Sequence, residues 1–506
     1  MTDDASHIAA EFPPVSADDW RALAEASLKG EPLESLTRKT ADGIVRGPVF
    51  FRGDAPEGGA SGAPGEAPYT RGAAPIRDRF LPWDIRAPIP GGTPAEAAKT
   101  AIAALEGGAS SLTLRLGNGG VSARNADELA AALNGVKLDL AGVWQFDGGL
   151  ASAALLAAHW ENSGAKPADI KGGFGLSPIA LGALSGAIRE GWEAPLAEAV
   201  KWASEQQLDL KTIAVRADLA CEAGGTSAQE IAWMAAEAAE YFRALIGAGI
   251  APDTAAKTME IRFAVDSDVH ENIAKLRAAR RVFSQVATAF GADAAPHIHA
   301  ITARRMMSAK DAWTNLLRAT AAAFAGAAGG ADAITVRPLT EAAGDPTAFA
   351  LRLARNIQIM LAEESHMGRV QDPAGGAFLH ETLSDEIAQS AWSLFQQIEG
   401  EGGLSAALKS GFVQSKIGEA RDARFKRYEN GDILLGLNKY PSDFDEPATG
   451  DIAPPPEPPK GDPIPETGWK AALEAAKSGG VLPPAAPETG EFEPVKPIRW
   501  AEAFNG

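Results

Sequence analysis

The chain has a single cysteine, Cys221, among 506 residues. That excludes an intrachain disulfide and any cysteine metal cluster, and it fits a reducing compartment. Positive charge is in deficit, since 47 Lys and Arg against 66 Asp and Glu leave a net charge of −19. A nucleic-acid surface wants clustered cations, so no nucleic-acid partner is expected and the acidity reads as a matter of solubility. No apolar run approaches the roughly 18 to 20 residues of a membrane span. The opening Met1-Thr2-Asp3-Asp4-Ala5-Ser6 has no apolar core of a secretory signal. No membrane partner and a cytoplasmic location are the expectation. No Gly-x-Gly-x-x-Gly turn opens a candidate helix, which weakens an open doubly wound sheet.

What the chain does have is apolar content, 45% of its residues, and a regular alternation from Thr93-Pro94 onward. Thr93 is placed to cap a helix and Pro94 to occupy its first position. The pattern predicts strands at 111–116, 138–146, 170–175, 211–216, 258–265, 297–302, 331–336 and, as an eighth, 368–371. Helices are predicted between them at 94–105, 126–133, 151–162, 195–205, 228–250, 272–290, 308–330 and 347–366. On the helix 308–330, Trp313, Leu316, Leu317, Thr320 and Phe324 share one face at helical spacing. Eight strands separated by helices call for an α/β fold with a parallel sheet, closed as a (β/α)8 TIM-type barrel.

The flanks are different. Residues 1–75 read as an N-terminal helical arm and a flexible loop, 76–430 as the barrel, and 431–506 as an extended Pro-rich C-terminal tail. In the arm, Phe12-Pro13-Pro14-Val15 leads to Ser16, a cap for a helix whose stripe of Trp20, Leu23 and Leu28 must pack on something. Residues 53–68 are Gly-, Ala- and Pro-rich, and Pro454 to Pro459 has polyproline character. Residues 445–468 suit a solvated segment, yet Trp469, Phe492, Ile498, Trp500 and Phe504 are too many anchors for a wholly solvated tail. The end is expected to be pinned to a folded surface. Trp20, Leu23, Trp500 and Phe504 are candidates for a partner interface.

Four stretches carry a more specific message: Asp311 to Arg318 (DAWTNLLR), Gly329-Gly330-Ala331-Asp332, Ala354 to Gln358 (ARNIQ) and Asp372-Pro373-Ala374-Gly375-Gly376. Their wording resembles the methylmalonyl-CoA mutase family, and most of all its small (β) subunits, over about residues 68–424. The resemblance implies a (β/α)8 barrel and an adenosylcobalamin-dependent complex that interconverts methylmalonyl-CoA and succinyl-CoA by radical rearrangement. It also implies a large subunit as heterodimer partner.

The resemblance also supplies a test, because catalytic large subunits carry defined residues at the strand ends. Their R-P-W-T-I-R-Q-Y is matched here by Trp83, Ile85 and Arg86, but the first arginine position is Leu81 and the tyrosine position is Pro88. Their G-Y-H-M-Q-E-A-G aligns with Ala217 to Gly224, putting Asp218 at the tyrosine and Leu219 at the histidine. Leucine cannot donate a hydrogen bond. Their R-T-H-S-Q-T is matched by His299 and Thr302, with His297 and Ile301 elsewhere. A glutamine and a histidine near Asp332 and Thr335 are missing. The cobalamin loop D-x-H-x-x-G has no counterpart, since Asp268-Val269-His270 is not followed by the glycine and the chain ends at Gly506. No flavodoxin-like cobalamin domain is therefore expected, and no cofactor bound by this chain.

The reading that follows is a non-catalytic small subunit that stabilises a large subunit. No residue is expected to be catalytic and none to hold a metal. Arg86, His299 and Thr302 remain as a substrate-binding remnant, in a lumen expected to be narrow, apolar and partly filled. Two alternatives stay open: an independent CoA-thioester-binding barrel, and a barrel enzyme using His297 and His299. The two histidines, at i and i+2, face the lumen together. Cys221 as a reactive thiol has no histidine near it in sequence to lower its pKa.

Overall fold

Short strands, each followed by at least one helix, fix the architecture. The computed structural model of the chain describes residues 16–56, 62–117, 119–441, 445–451, 459–484 and 490–504. Phe12 to Val15, part of the 53–68 loop, and most of Pro454 to Pro459 lie outside these residues.

The arm helix α1 (Ala17–Ser27) comes first, and a hairpin of β1 (Arg38–Lys39) and β2 (Val45–Arg46) follows it. The barrel then runs β3 (Asp84–Ile89), α2 (Pro94–Glu106), β4 (Ser111–Leu114), α3 (Ala126–Ala132), β5 (Gly142–Gln145), α4 (Leu150–Asn162) and β6 (Gly172–Leu176). It continues through α5 (Pro178–Ser185), α6 (Glu193–Glu205), β7 (Lys211–Val215), α7 (Asp218–Glu222), α8 (Ser227–Gly247), α9 (Pro252–Lys257) and β8 (Met259–Val265). It ends with α10 (Val269–Ala289), β9 (His297–Thr302), α11 (Thr314–Ala328), β10 (Ala333–Thr335) and α12 (Ala348–Glu363). Strands β3 to β10 pair in parallel as a closed eight-stranded barrel, sealed where Ala333 of β10 pairs with Asp84 of β3. Helices α13 (Phe378–Gly400), α14 (Leu404–Lys409) and α15 (Phe412–Glu429) follow, with α13 lying on α8 and α10.

Two sequence expectations change here. Residues 368–371 are not a strand; Met367–Arg369 is a turn of 3-10 helix, with Gly368 pressed against Pro82. The missing barrel strand is β3, which the sequence had offered only as a strand end. One proline and two charges disguise it, and the parallel ladder tolerates Pro88 because it sits near the strand's end. On α11 the buried side carries Asn315, Arg318, Ala319, Ala322 and Ala323, while Trp313 and Leu317 are exposed at 38% and 64%. Small residues let the helix approach the sheet closely: a Cβ on Gly326 would lie 3.3 Å from that of Ala300. Residue size overrode the apolar stripe.

The tail is strapped to the barrel. Helix α16 (Trp469–Lys477) buries Trp469 against Phe174 and Trp202, with ring centroids 5.3 and 5.2 Å away. Trp500 packs among Phe425, Tyr428 and Phe504 and is 7% exposed. The Glu446 carboxylate accepts from the backbone N–H of Ala312 at 2.8 Å, tying the tail to the start of α11.

Candidate functional site: the barrel lumen and its two mouths

Alternation along the strands decides what faces the axis. On β8, Glu260 and Arg262 point inward between the outward Met259, Ile261 and Phe263. The Arg86 guanidinium from β3 donates to Glu260 Oε2 at 2.7 Å and to Asp84 at 3.1 Å, and lies 3.7 Å over the Trp144 ring. Arg262 donates to Glu260 Oε1 at 2.9 Å and to the Gln145 carbonyl at 2.8 Å. One strand level on, Arg216 grips Asp218 bidentately at 2.8 Å and pairs with Asp147, which Arg115 also holds. Arg216 and Arg262 both lie on the Phe146 ring, 4.7 and 4.8 Å from its centroid. Arg86, Glu260 and Arg262 are all buried.

The lumen is therefore filled, but with ion pairs and aromatic rings rather than apolar side chains. The expectation of an apolar centre fails because Leu219 and Ile301 contribute little beside three inward arginines. Burial alone would raise the Glu260 carboxyl, yet Arg86 and Arg262 hold it well below the usual range. Burial opposes Asp147 in the same way, but Arg216, Arg115 and Arg262 bring it down to about 2. These are permanent charges, closed on one another.

Of the residues expected as a substrate-binding remnant, the structure joins two. His299 Nδ1 lies 3.2 Å from Arg86 Nη1 and its Nε2 lies 2.8 Å from Thr335 Oγ1. Arginine can only donate, so Nδ1 accepts and the proton sits on Nε2. Burial and the neighbouring Arg86 push His299 down to about 3, leaving it neutral. Thr302 stands apart: its hydroxyl accepts from the backbone N–H of Arg337 at 2.8 Å and does not join the lumen network.

The strand ends divide between two mouths. Leu81, Asp332 and His297 border the N-terminal mouth, a cavity of about 990 Å³ where His297 stacks on Trp144 at 5.8 Å. Pro88, Ile301 and Thr335 border the C-terminal mouth, about 760 Å³, together with Arg115, Arg304 and Arg337. Leu81 and Pro88 thus sit at opposite ends of β3, as a rise of about 3.3 Å per residue requires. No lining residue is shared between the mouths.

As chemistry, the site offers little. His299 is enclosed, with both ring nitrogens engaged. His297 is also pushed down by burial, and Glu260, within 3.8 Å of both histidines, is committed to arginines. Among the described residues no group of three His, Cys, Asp or Glu could hold a metal ion. Cys221 is 1% exposed and burial raises its thiol well above the usual value, so it is no nucleophile. His270 faces His380 at 3.1 Å on the outer helices, and Asp268 caps α10.

The outer candidates separate as well. In α1 no residue is buried: Leu23 is 73% exposed and Trp20 meets Phe51 edge-on at 5.6 Å. Trp500 is spent on its own chain, and Phe504 lies 5.8 Å from Tyr428. Sequence reasoning missed Glu260, Arg262 and Arg216. The available signal was charge at alternate positions of strands that otherwise read as continuous hydrophobic runs.

A closed parallel barrel whose axis is occupied by buried ion pairs defines the class: a (β/α)8 protein. The methylmalonyl-CoA mutase family profile matches residues 39–454, and the chain belongs to that family. It is 36% identical to the methylmalonyl-CoA mutase small subunit of Streptomyces virginiae, over 90% of this chain and 75% of that one. It is 34% identical to the small subunit of Propionibacterium freudenreichii subsp. shermanii, over 85% and 69%. To a protein named methylmalonyl-CoA mutase from Cereibacter sphaeroides it is 30% identical, over 84% and 64%.

Proposed function

We propose that this chain is the non-catalytic small subunit of a methylmalonyl-CoA mutase, a heterodimer whose large subunit interconverts methylmalonyl-CoA and succinyl-CoA by radical rearrangement. One observation carries the reading: Arg86, Glu260 and Arg262 form a buried network across the barrel axis, where a substrate arm would have to pass. Pro88 and Ile301 at the C-terminal mouth supply neither a hydroxyl nor an amide to a substrate. The residues also fit a corrinoid poorly. Among the described residues no histidine lines the C-terminal mouth, and both nitrogens of His299 are engaged. Adenosylcobalamin is accordingly assigned to the large subunit, and the complex to the cytoplasm.

In this reading residues 76–430 are the barrel, 431–506 a tail that straps it, and 1–75 the arm that reaches the partner. Its support is α1, where no residue is buried and Leu23 is 73% exposed among the described residues. The subunit acts as any ligand of a native state does, by binding and stabilising it.

The test mixes the chain with its large subunit. Alone it should show no mutase activity with added adenosylcobalamin. The pair should form a stable heterodimer burying about 2,000 Å² or more, as obligate interfaces do. Deleting residues 1–36 should weaken the pair and lower the large subunit's thermal midpoint, with this barrel still folded. A chain that ignores the large subunit altogether, or turns over substrate alone, refutes the proposal.

A further inference from the structure

The barrel closes where β10 pairs with β3, and the helices behind that seam, α2 and α12, do not meet flush. A cavity of about 420 Å³ lies between them, walled by small and apolar residues such as Ala97, Ala104 and Leu351. Its size falls in the range of small-molecule sites, which run from about 300 Å³ upward. Besides Arg86, which Asp84 and Glu260 already hold, three cations line it: Lys99 from α2, and Arg352 and Arg355 from α12. None of the three has an ion-pair partner among the described residues. Among the described residues Arg355 makes one long hydrogen bond, 3.4 Å to the Ala103 carbonyl, and its Nε has no partner. Two acids share the lining, but the Glu96 carboxylate is committed to the Thr93 N–H and hydroxyl, both at 2.8 Å, and Asp451 is exposed.

The decisive residue is Gln358. It lines the same cavity, is 2% exposed, and its Oε1 accepts no hydrogen bond among the described residues. A buried acceptor without a donor is costly and uncommon in native structures. Arg352 and Arg355 are like charges at i and i+3, an arrangement that disfavours an isolated helix. Burial and the neighbouring Arg352 both push Arg355 down, as expected of a cation short of a counter-ion. Cations without ion-pair partners, of which Lys99 and Arg352 are exposed and Arg355 half-buried, share one cavity with apolar walls and an unfilled acceptor, and together they describe a ligand. From Arg352 to Gln358 the helix rises about 9 Å at 1.5 Å per residue.

We propose that this seam cavity binds a small carboxylic acid whose head pairs with Lys99, Arg352 and Arg355, and whose apolar body ends in a hydroxyl or amide N–H donated to Gln358. Guanidinium forks match a carboxylate bidentately, which favours this head group. The site adjoins the C-terminal mouth through Pro88, Pro90 and Leu351 and does not depend on the assembly proposed above.

The experiment is saturation-transfer NMR on the full chain with 8-hydroxyoctanoate, octanoate and 1,8-octanediol, each titrated to about 10 mM. The hydroxy acid should bind best, octanoate about fivefold weaker for the lost hydrogen bond to Gln358, and the diol about tenfold or more weaker for the lost charge. Arg352→Gln with Arg355→Gln should reduce both acids to the level of the diol. Gln358→Leu should leave octanoate bound while erasing the advantage of the hydroxy acid. Circular dichroism checks that each variant is folded. The proposal is overturned if no acid binds saturably, if the acids bind no better than the diol, or if the paired arginine variant binds as tightly as the parent.

Discussion

Glu260→Gln tests whether the lumen is held by its ion network. In the parent, each carboxylate oxygen serves one arginine: Oε2 takes Arg86 at 2.7 Å and Oε1 takes Arg262 at 2.9 Å. Glutamine removes the charge and turns one acceptor into an NH2 that faces a donor. Breaking a buried pair by removing one partner costs about 3–5 kcal/mol, because the other charge is left uncompensated. Arg86 keeps Asp84 and Arg262 keeps the Gln145 carbonyl, so the lower end applies and about 3 kcal/mol is expected. Urea unfolding followed by tryptophan fluorescence and by circular dichroism reads the loss, provided the two transitions coincide. Adding Arg262→Met to Glu260→Gln should cost less than the two singles summed, by about 1 kcal/mol or more, since the residues touch. The carboxyl's folded pKa lies well below its ordinary 4.5. Its contribution is therefore complete above that value and is lost as the pH falls through the lower, folded one. A Glu260→Gln variant within about 0.5 kcal/mol of the parent, the range of an ordinary surface change, would refute the reasoning.

His299 should leave a second pH signature. Its pKa falls from 6.5 to about 3 on folding, so between those values the unfolded chain binds a proton that the folded chain refuses. Stability should decline as the pH drops below about 6.5, by up to about 1.4 kcal/mol per pH unit from this group. Taking the difference between parent and His299→Gln cancels the buried glutamates, and an unchanged slope would exclude the assignment. Because the axis is blocked, titration of the chain with a CoA thioester should show nothing tighter than about millimolar, near −4 kcal/mol; micromolar binding would favour an independent pocket. Pro88→Tyr with Leu219→His should still give no turnover with adenosylcobalamin, and measurable turnover would place the radical source on this chain. Trp469→Ala should cost about 3–5 kcal/mol of tail docking and open residues near 460–480 to limited proteolysis; unchanged cleavage would mean the strap is held elsewhere.

Local periodicity was legible in the order of residues alone. Thr93 and Pro94, the alternation of apolar strands with capped helices, and the wording of Asp311 to Arg318 were enough for a (β/α)8 barrel of one family, because each depends on residues close along the chain. It also placed His297 and His299 on one face, which the lumen bears out. Tertiary structure decided the rest. Whether Asp84 to Ile89 was a strand depended on the gap left between β4 and β10. Which side of α11 was buried depended on how closely Gly326 and its alanines could approach Ala300 and Ile334. What filled the axis depended on Arg86, Arg216 and Arg262 arriving from three strands far apart in sequence. Each of those arginines is an ordinary charged residue in its own segment. Only barrel closure makes them neighbours, and only then does the loss of water leave them no alternative to Glu260, Asp147 and Asp218.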